Sequence, residues 1–369
     1  MYDKNLENLS FIIVKSSFFL GMMIMISLSH LSGLFLGVLL GFVMQRGRFC
    51  MAGGLRDLYL FRDNRMLIAI LIAISIQSVG LFIFSYFEIA KIPNSAFPWL
   101  ATIIGGILFG IGMGCAGSCS TGAYYRAAEG LIGSILAVIG FIISSWLIRQ
   151  PILKNLFQPI TAPKFESGTI TQTFNIPPYI AIIVLVVVTA ILVSRHIKKS
   201  ASIKIPKMKA KKTGIAHILF EARWHPFVSA IVIGIIALLA WPSSLADGRI
   251  GGLGISGPSA QLFTLVTEGN LKFFNWAGFL LMGIFIGAFI AAKGSNEFRL
   301  RNPGIKTISK SFAGGLLMGI GSGLAGGCML GNTLVNTAWF SWQGWVFIPC
   351  IIIGSWIVSY FTIIRFQKY

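Results

Sequence analysis

Charge is scarce in this 369-residue chain, and negative charge is scarcest: 11% of residues are charged, with 11 Asp and Glu against 30 Lys and Arg. Soluble domains carry about 25% charged residues, so a water-borne globular protein is excluded. With 55% hydrophobic residues and a mean hydropathy of +0.81, a disordered tail is excluded as well. Cysteine is also sparse. The five residues Cys50, Cys115, Cys119, Cys328 and Cys350 form no C-x-x-C pair, which argues against a disulfide framework or a dithiol redox catalyst. The histidines His30, His196, His217 and His225 lie outside the cysteine motifs, so no metal site and no cofactor are expected. Alternating period-two segments are missing, which removes the membrane β-barrel. A small-residue cleavage site after the first apolar stretch is missing too, so no cleaved signal peptide is expected.

Long apolar runs are what the sequence does have. A helix needs roughly 20 mostly apolar residues to cross the hydrocarbon core, and ten stretches qualify or come close: 9–29, 31–45, 66–87, 97–113, 130–149, 178–194, 226–242, 275–292, 311–326 and 344–364. The shortness of 31–45 and 97–113 suggests that some segments stop inside the bilayer. The expected fold class is therefore an all-α polytopic membrane protein with about nine to ten transmembrane helices and additional short intramembrane helices. If segment 195–223 is cytoplasmic, alternation places 23 of the 30 basic residues on that side, 6 on the other and Lys15 within a span. The six are Lys91, Arg149, Lys154, Lys164, Arg249 and Lys272. This is the positive-inside pattern, with both termini cytoplasmic. It explains the net charge of +19 without nucleic acid.

The chain also repeats itself. Gly110–Gly122 reads GIGMGCAGSCSTG and Gly319–Gly331 reads GIGSGLAGGCMLG, with eight of 13 positions identical at an offset of 209. Gly105-Gly106 matches Gly314-Gly315, and Ser145-Trp146 matches Ser355-Trp356 after a one-residue slip. The alternation runs 97–113 and 311–326 in opposite directions, so the repeat is inverted. The expected organisation is an additional helix at 1–30, a first repeat at 31–150, a connecting helix with a basic linker at 151–225, and a second repeat at 226–369. Inverted repeats are frequent in transporters, with the substrate site at their interface.

Cys115, whose repeat partner is Leu324, and Cys350 read as small buried apolar residues. Cys119 and Cys328 stand apart. Each is expected to end a glycine-rich helix, followed by a break at Gly122 or at Gly331-Asn332 and then by polar residues that include Arg126. Irregular backbone at membrane depth survives only where it is buried in protein or lines a cavity. A short helix starting at such a break turns its free N–H groups toward an anion, and a neutral thiol adds a polarizable sulfur with a weak S–H donor. Cys50, followed by Gly53-Gly54 in an arginine-rich stretch, reads as a third break or as part of a charged anchor. Glu129, three residues after Arg126, is expected to pair with it.

The stretches RGRFCMAGGLRDLYLFRD, GCAGSCSTGAYYRAAEG and GGCMLGNTLVNTAWFSWQGW, in this order, resemble the YeeE/YedE family from about residue 31 to 364. Characterised members of that family take up thiosulfate. The resemblance implies an hourglass-shaped helical bundle in the bacterial inner membrane, in which three cysteines hand the anion along a central path through S–H···S contacts. Those cysteines match Cys50, Cys119 and Cys328, with Cys119 central because it stands three before Gly122 and seven before Arg126. It also implies a TusA-like sulfur-carrier protein as partner in some members, none being fused in this chain. Some family members are proposed to handle selenium compounds, which leaves a selenium substrate as an alternative. A membrane sulfurtransferase needs an activated thiol with a base, and no histidine or C-x-x-C pair supplies one. A nonspecific anion channel should show rings of Arg or Lys along its pore.

Overall fold

The structure, a computed structural model, describes residues 28–89, 93, 96–200, 214, 216–222 and 224–365. In chain order its main helices are α1 (Leu28–Arg46), α2 (Met51–Phe61), α3 (Arg65–Tyr86), α4 (Trp99–Ala116), α5 (Ser120–Ala128) and α6 (Ile132–Leu147). Then come α7 (Pro178–Ser200), α8 (Pro226–Leu245), α9 (Ser256–Glu268), α10 (Trp276–Gly294), α11 (Ile305–Leu324) and α12 (Trp342–Ser359). A π-helical turn, Leu330–Asn336, separates the last two. Among the described residues there are isolated bridges but no strand. Among the described residues, seven stretches are long and apolar enough to cross a membrane, and Ile132–Leu147 adds a shorter apolar helix. Nine of the ten expected spans correspond to helices here. The expected span at 9–29, most of the basic linker and both termini lie outside the described residues.

Glycine contacts define how the helices are arranged. A methyl group on Gly105 of α4 would meet the Gly321 carbonyl oxygen of α11 at 2.7 Å, and one on Gly321 would meet the Gly105 oxygen at 2.6 Å. Gly112 and Gly314 are reciprocally placed, each 2.6 Å from the other's oxygen by the same measure. Position 105 thus faces 321 while 112 faces 314, so α4 and α11 are antiparallel. Under the offset of 209 these two contacts exchange with each other. Equivalent helices that cross antiparallel, with their contacts exchanged, are related by a two-fold axis perpendicular to them. In a membrane-spanning bundle that axis lies in the membrane plane, as in inverted-repeat transporters.

The other interfaces obey the same exchange. Gly106 and Gly110 of α4 pack against Phe347 and Ile351 of α12, while Gly315 and Gly319 of α11 pack against Ala137 and Phe141 of α6. Helix α1 lies along α10 and α3 lies along α8. Each half therefore buries its helices largely against the other half. Small residues permit this close backbone approach, which drives association where lipid supplies no hydrophobic force. Helix α7 packs mainly on α3, with a Ser75–Thr189 hydroxyl hydrogen bond of 3.0 Å, and remains largely exposed to the surroundings.

The two ends of the bundle differ in charge. Loops 47–50, 62–65, 129–131 and 297–301 meet at one end through the cavity wall there and through Arg48, Glu129 and Glu297. Loops near 149, 249–257 and 326–343 meet at the other. This grouping reproduces the alternation read from the charges.

Candidate functional site

Four short elements start within the bundle: α2 after Cys50, α5 after Cys119, α9 after Ile255 and the π-helical turn just after Cys328. The long helices stop short of Cys119 and Cys328, which were expected to end them. Helix α4 ends at Ala116 and α11 at Leu324, and Gly117 and Gly326 follow in the left-handed conformation at φ 65 and 68. Glycine adopts that conformation without a Cβ penalty. The cysteines therefore precede the short elements and do not end the long ones. Cys119 is the N-cap of α5, its sulfur accepting the Gly122 N–H at 3.3 Å. Cys50 is the N-cap of α2 in extended backbone.

The start of α9 occupies in the second half the place of Cys50 in the first, but it carries Ile255 and Ser256. Sequence reasoning missed it for lack of a cysteine. The glycine run Gly251-Gly252-Leu253-Gly254 ahead of an apolar stretch was the available signal.

Cys50, Cys119 and Cys328 are buried, with 3%, 1% and 1% of their surface exposed. Gly122 brings the first two together. A methyl group on it would stand 3.0 Å from the Cys50 sulfur and 3.2 Å from the Cys119 sulfur, and the two thiols are within interaction reach of each other. Cys50 opens into a cavity of about 280 Å³ at the arginine-rich end, walled by Arg48, Arg56, Arg65 and Arg126. Asp57 and Asp63 also line it, but they are paired with Arg56 and Arg65. The Arg65 hydrogen bond holds Asp63 below the usual carboxylate range, so that pair stays neutralised. Arg126 donates to the Gly117 carbonyl at 2.8 Å. The expected Arg126–Glu129 pair does not form: Arg48 reaches over and takes Glu129 at 2.9 Å.

Cys328 lies on a second cavity, of about 370 Å³, at the opposite end. Its wall includes Gly331, Asn332, Asn336, Trp339, Gln343, Arg149 and Arg249, and no carboxylate among the described residues. Asn332 is fully buried and is committed to the loop: its amide donates to the Ala325 and Gly327 carbonyls at 3.0 and 2.9 Å, and its oxygen accepts from Asn336 at 2.8 Å. It shapes the break that presents Cys328. Gly331 leaves open space on its Cβ side, the nearest atom being the Leu253 oxygen at 3.9 Å. Cys115 is half-buried and Cys350 packs against Gly106; neither lines these two cavities.

Arg149 and Arg249 are the site residues that sequence reasoning counted only as topology. Burial pulls both guanidinium pKa values down, yet arginine remains charged at any accessible pH. Arg149 reaches the Ser256 and Gly257 carbonyls at 3.3 Å. Arg249 lies 5.7 Å from the Trp276 ring centre, and its Nη1, like Trp339 Nε1, is a buried donor with no hydrogen-bond partner among the described residues. A buried donor left unpaired costs about 1–3 kcal/mol. Arginine and indole donors beside a cavity whose described lining holds no carboxylate are suited to an anion.

The chain is 48% identical over 338 residues to the thiosulfate transporter TsuA of Escherichia coli, covering 92% of this chain and 96% of the relative. It is 29% identical over 344 residues to the thiosulfate transporter TsuA of Spirochaeta thermophila, covering 89% and 98%. A shorter match of 139 residues, at 30% identity, covers 38% of this chain and 34% of the probable transporter YedE of Escherichia coli. The model of the sulphur transport family matches residues 46–357, and the chain belongs to that family of YeeE/YedE membrane transporters.

Proposed function

We propose that this chain is a permease of the bacterial cytoplasmic membrane that takes up thiosulfate or a closely related sulfur-containing anion. The thiosulfate transporters it resembles over nearly their whole length support the substrate. One observation supports the route: Cys328 and Cys50 open into cavities at opposite ends, and Cys119 is buried beside Cys50. In this reading the anion enters the cavity of Arg149 and Arg249, moves from Cys328 to Cys119 to Cys50, and leaves past Arg126. The arginine-rich end faces the cytoplasm, following the charge bias of the loops.

The chemistry favours a soft anion. Neutral thiols offer weak S–H donors to a terminal sulfur and place no opposing charge on the path. Arginine, asparagine and glutamine donors suit the sulfonate oxygens. Weak successive sites let an ion leave each station, as conduction requires. Gly122 keeps two thiols within reach, and Gly331 with Asn332 holds the outer break open around Cys328. The two halves, 31–150 and 226–369, act as the inverted units around this route, joined through 151–225. A TusA-like sulfur carrier would receive the anion at the arginine-rich mouth.

The test is uptake of labelled thiosulfate by a strain lacking its own uptake systems, with sulfite and selenite as competitors. Uptake that unlabelled thiosulfate suppresses best supports the reading; stronger suppression by selenite moves the substrate to the selenium compounds. Arg249→Ala is expected to raise the KM for thiosulfate on the order of tenfold or more, the loss of one charge-assisted hydrogen bond. An unchanged KM would remove Arg249 from the entry site.

A further inference from the structure

Glu129 is a carboxylate that the transport route does not use, and its surroundings are unusual. Its side chain is 4% exposed. Both of its oxygens accept from one nitrogen of Arg48, at 2.9 and 3.0 Å. The other terminal nitrogen of Arg48 donates to Glu297 at 3.0 Å. Arg48 stands two residues before Cys50, holds a left-handed backbone at φ 48, and lines the same cavity as Cys50 and Arg126. A single guanidinium thus bridges two carboxylates at the edge of the anion's exit.

The neighbour on the other side completes the picture. Gln45 is fully buried, and its nitrogen donates to Glu297 at 2.7 Å. Gln45 also hydrogen-bonds the Glu129 carboxylate, a contact that favours the charged form. A proton on Glu129 would remove the charge that both Gln45 and Arg48 hold, and so loosen its grip on Arg48.

Resting on the transport reading, we propose that Arg48 is the last anion station at the arginine-rich mouth and that Glu129 is the proton-accepting group that controls it. With Glu129 protonated, Arg48 turns to the anion leaving Cys50. When Glu129 gives its proton to water at that mouth, its carboxylate reclaims Arg48 and the anion departs. No bond other than O–H breaks or forms, and the proton is balanced by water.

The charged and polar groups facing Glu129 fit this role. They are Arg48 from the loop before α2, Gln45 from α1 and Glu297 from the loop after α10; Arg46 of α1 faces Glu297, and the Arg299 N–H binds the Glu129 backbone carbonyl. Burial pushes the Glu129 carboxyl above its usual range, against the pull of Arg48. Burial also acts on Glu297, but Arg48, Gln45 and Arg46 outweigh it and hold that carboxyl below its usual range. Glu297 therefore stays charged and keeps Arg48 at the mouth while Glu129 titrates.

The experiment is labelled-thiosulfate uptake into proteoliposomes at equal pH on both faces, between about pH 5 and 8.5, for wild type, Glu129→Gln and Glu297→Gln. Wild-type uptake is expected to change at least threefold across a single titration, and Glu129→Gln to lose that pH dependence. Glu297→Gln is expected to keep the titration but move its midpoint to more acid pH, because removing a neighbouring negative charge eases ionisation of Glu129. A Glu129→Gln profile like wild type, or an unmoved midpoint in Glu297→Gln, overturns the proposal. A second readout does not need transport: wild type in mildly acid buffer should show the infrared carbonyl band of a buried carboxylic acid, and Glu129→Gln should lack it. If wild type takes up no thiosulfate at any pH, the transport reading falls, and the infrared band still decides whether Glu129 takes the proton. Identical bands in the two proteins overturn the proton site.

Discussion

Replacing Cys119 by alanine is expected to reduce labelled-thiosulfate uptake to background and to abolish thiosulfate-dependent growth, with the protein still present in the membrane. Cys119 lines neither cavity and is 1% exposed, so substrate entering from either end meets another thiol first. Its sulfur shares the space over Gly122 with the Cys50 sulfur. Alanine removes the only polar atom of the side chain and adds nothing in return. Cys119 also caps α5, and loss of an N-cap costs about 1 kcal/mol, so alanine alone mixes two effects. Cys119→Ser separates them. Serine is a strong N-cap and should restore stability, but its oxygen is harder and less polarizable than sulfur. The relay reading requires the serine protein to be stable and still nearly inactive. Growth of Cys119→Ala at the wild-type rate would show the relay to be wrong for this chain. Growth of Cys50→Ala or Cys328→Ala would weaken only the three-station version.

The sequence carried the inverted repeat in plain form because glycine contacts tolerate so little change. Gly105, Gly112, Gly314 and Gly321 each sit against a backbone atom of the opposing helix, so the spacing that permits the crossing is visible as identity. Polar neighbours leave no such trace. Arg48 and Glu129 are 81 residues apart, and the nearer Arg126 was the natural partner to expect until Gly117 claimed it. The break before α9 was hidden because its cap is Ile255, an ordinary apolar residue. Arg149 and Arg249 were visible but were counted among the few basic residues on the charge-poor side. Charge there runs against the topology bias, and of the six residues these two are the arginines, which in hindsight called for a specific explanation. The positions of helix ends were also misplaced, since a left-handed glycine ends a helix without altering the apolar pattern that runs through it.

The two-fold arrangement makes its own prediction about stability. Gly105→Ala and Gly314→Ala occupy equivalent positions, and their new methyl groups would meet equivalent atoms: the Ala325 nitrogen and Gly321 oxygen at 2.7 Å for the first, the Ala116 nitrogen at 2.5 Å and Gly112 oxygen at 2.6 Å for the second. These are backbone atoms of a facing helix and cannot rotate aside, so α4 and α11 must separate. Overpacking of this kind costs about 1–3 kcal/mol and occasionally more. Each single substitution is therefore expected to lower the unfolding temperature of the detergent-solubilised protein by several degrees, and the two by closely similar amounts. The double variant should lose less than the sum, because separating the helices for one methyl group makes room for the other; residues sharing one interface are not additive. Additive losses, or a large loss in one variant with none in the other, would show that the helices are not related by the exchange seen in their contacts. Uptake should fall with stability in both variants, since α4 and α11 run into the turns at Gly117 and Gly326 that lead to Cys119 and Cys328.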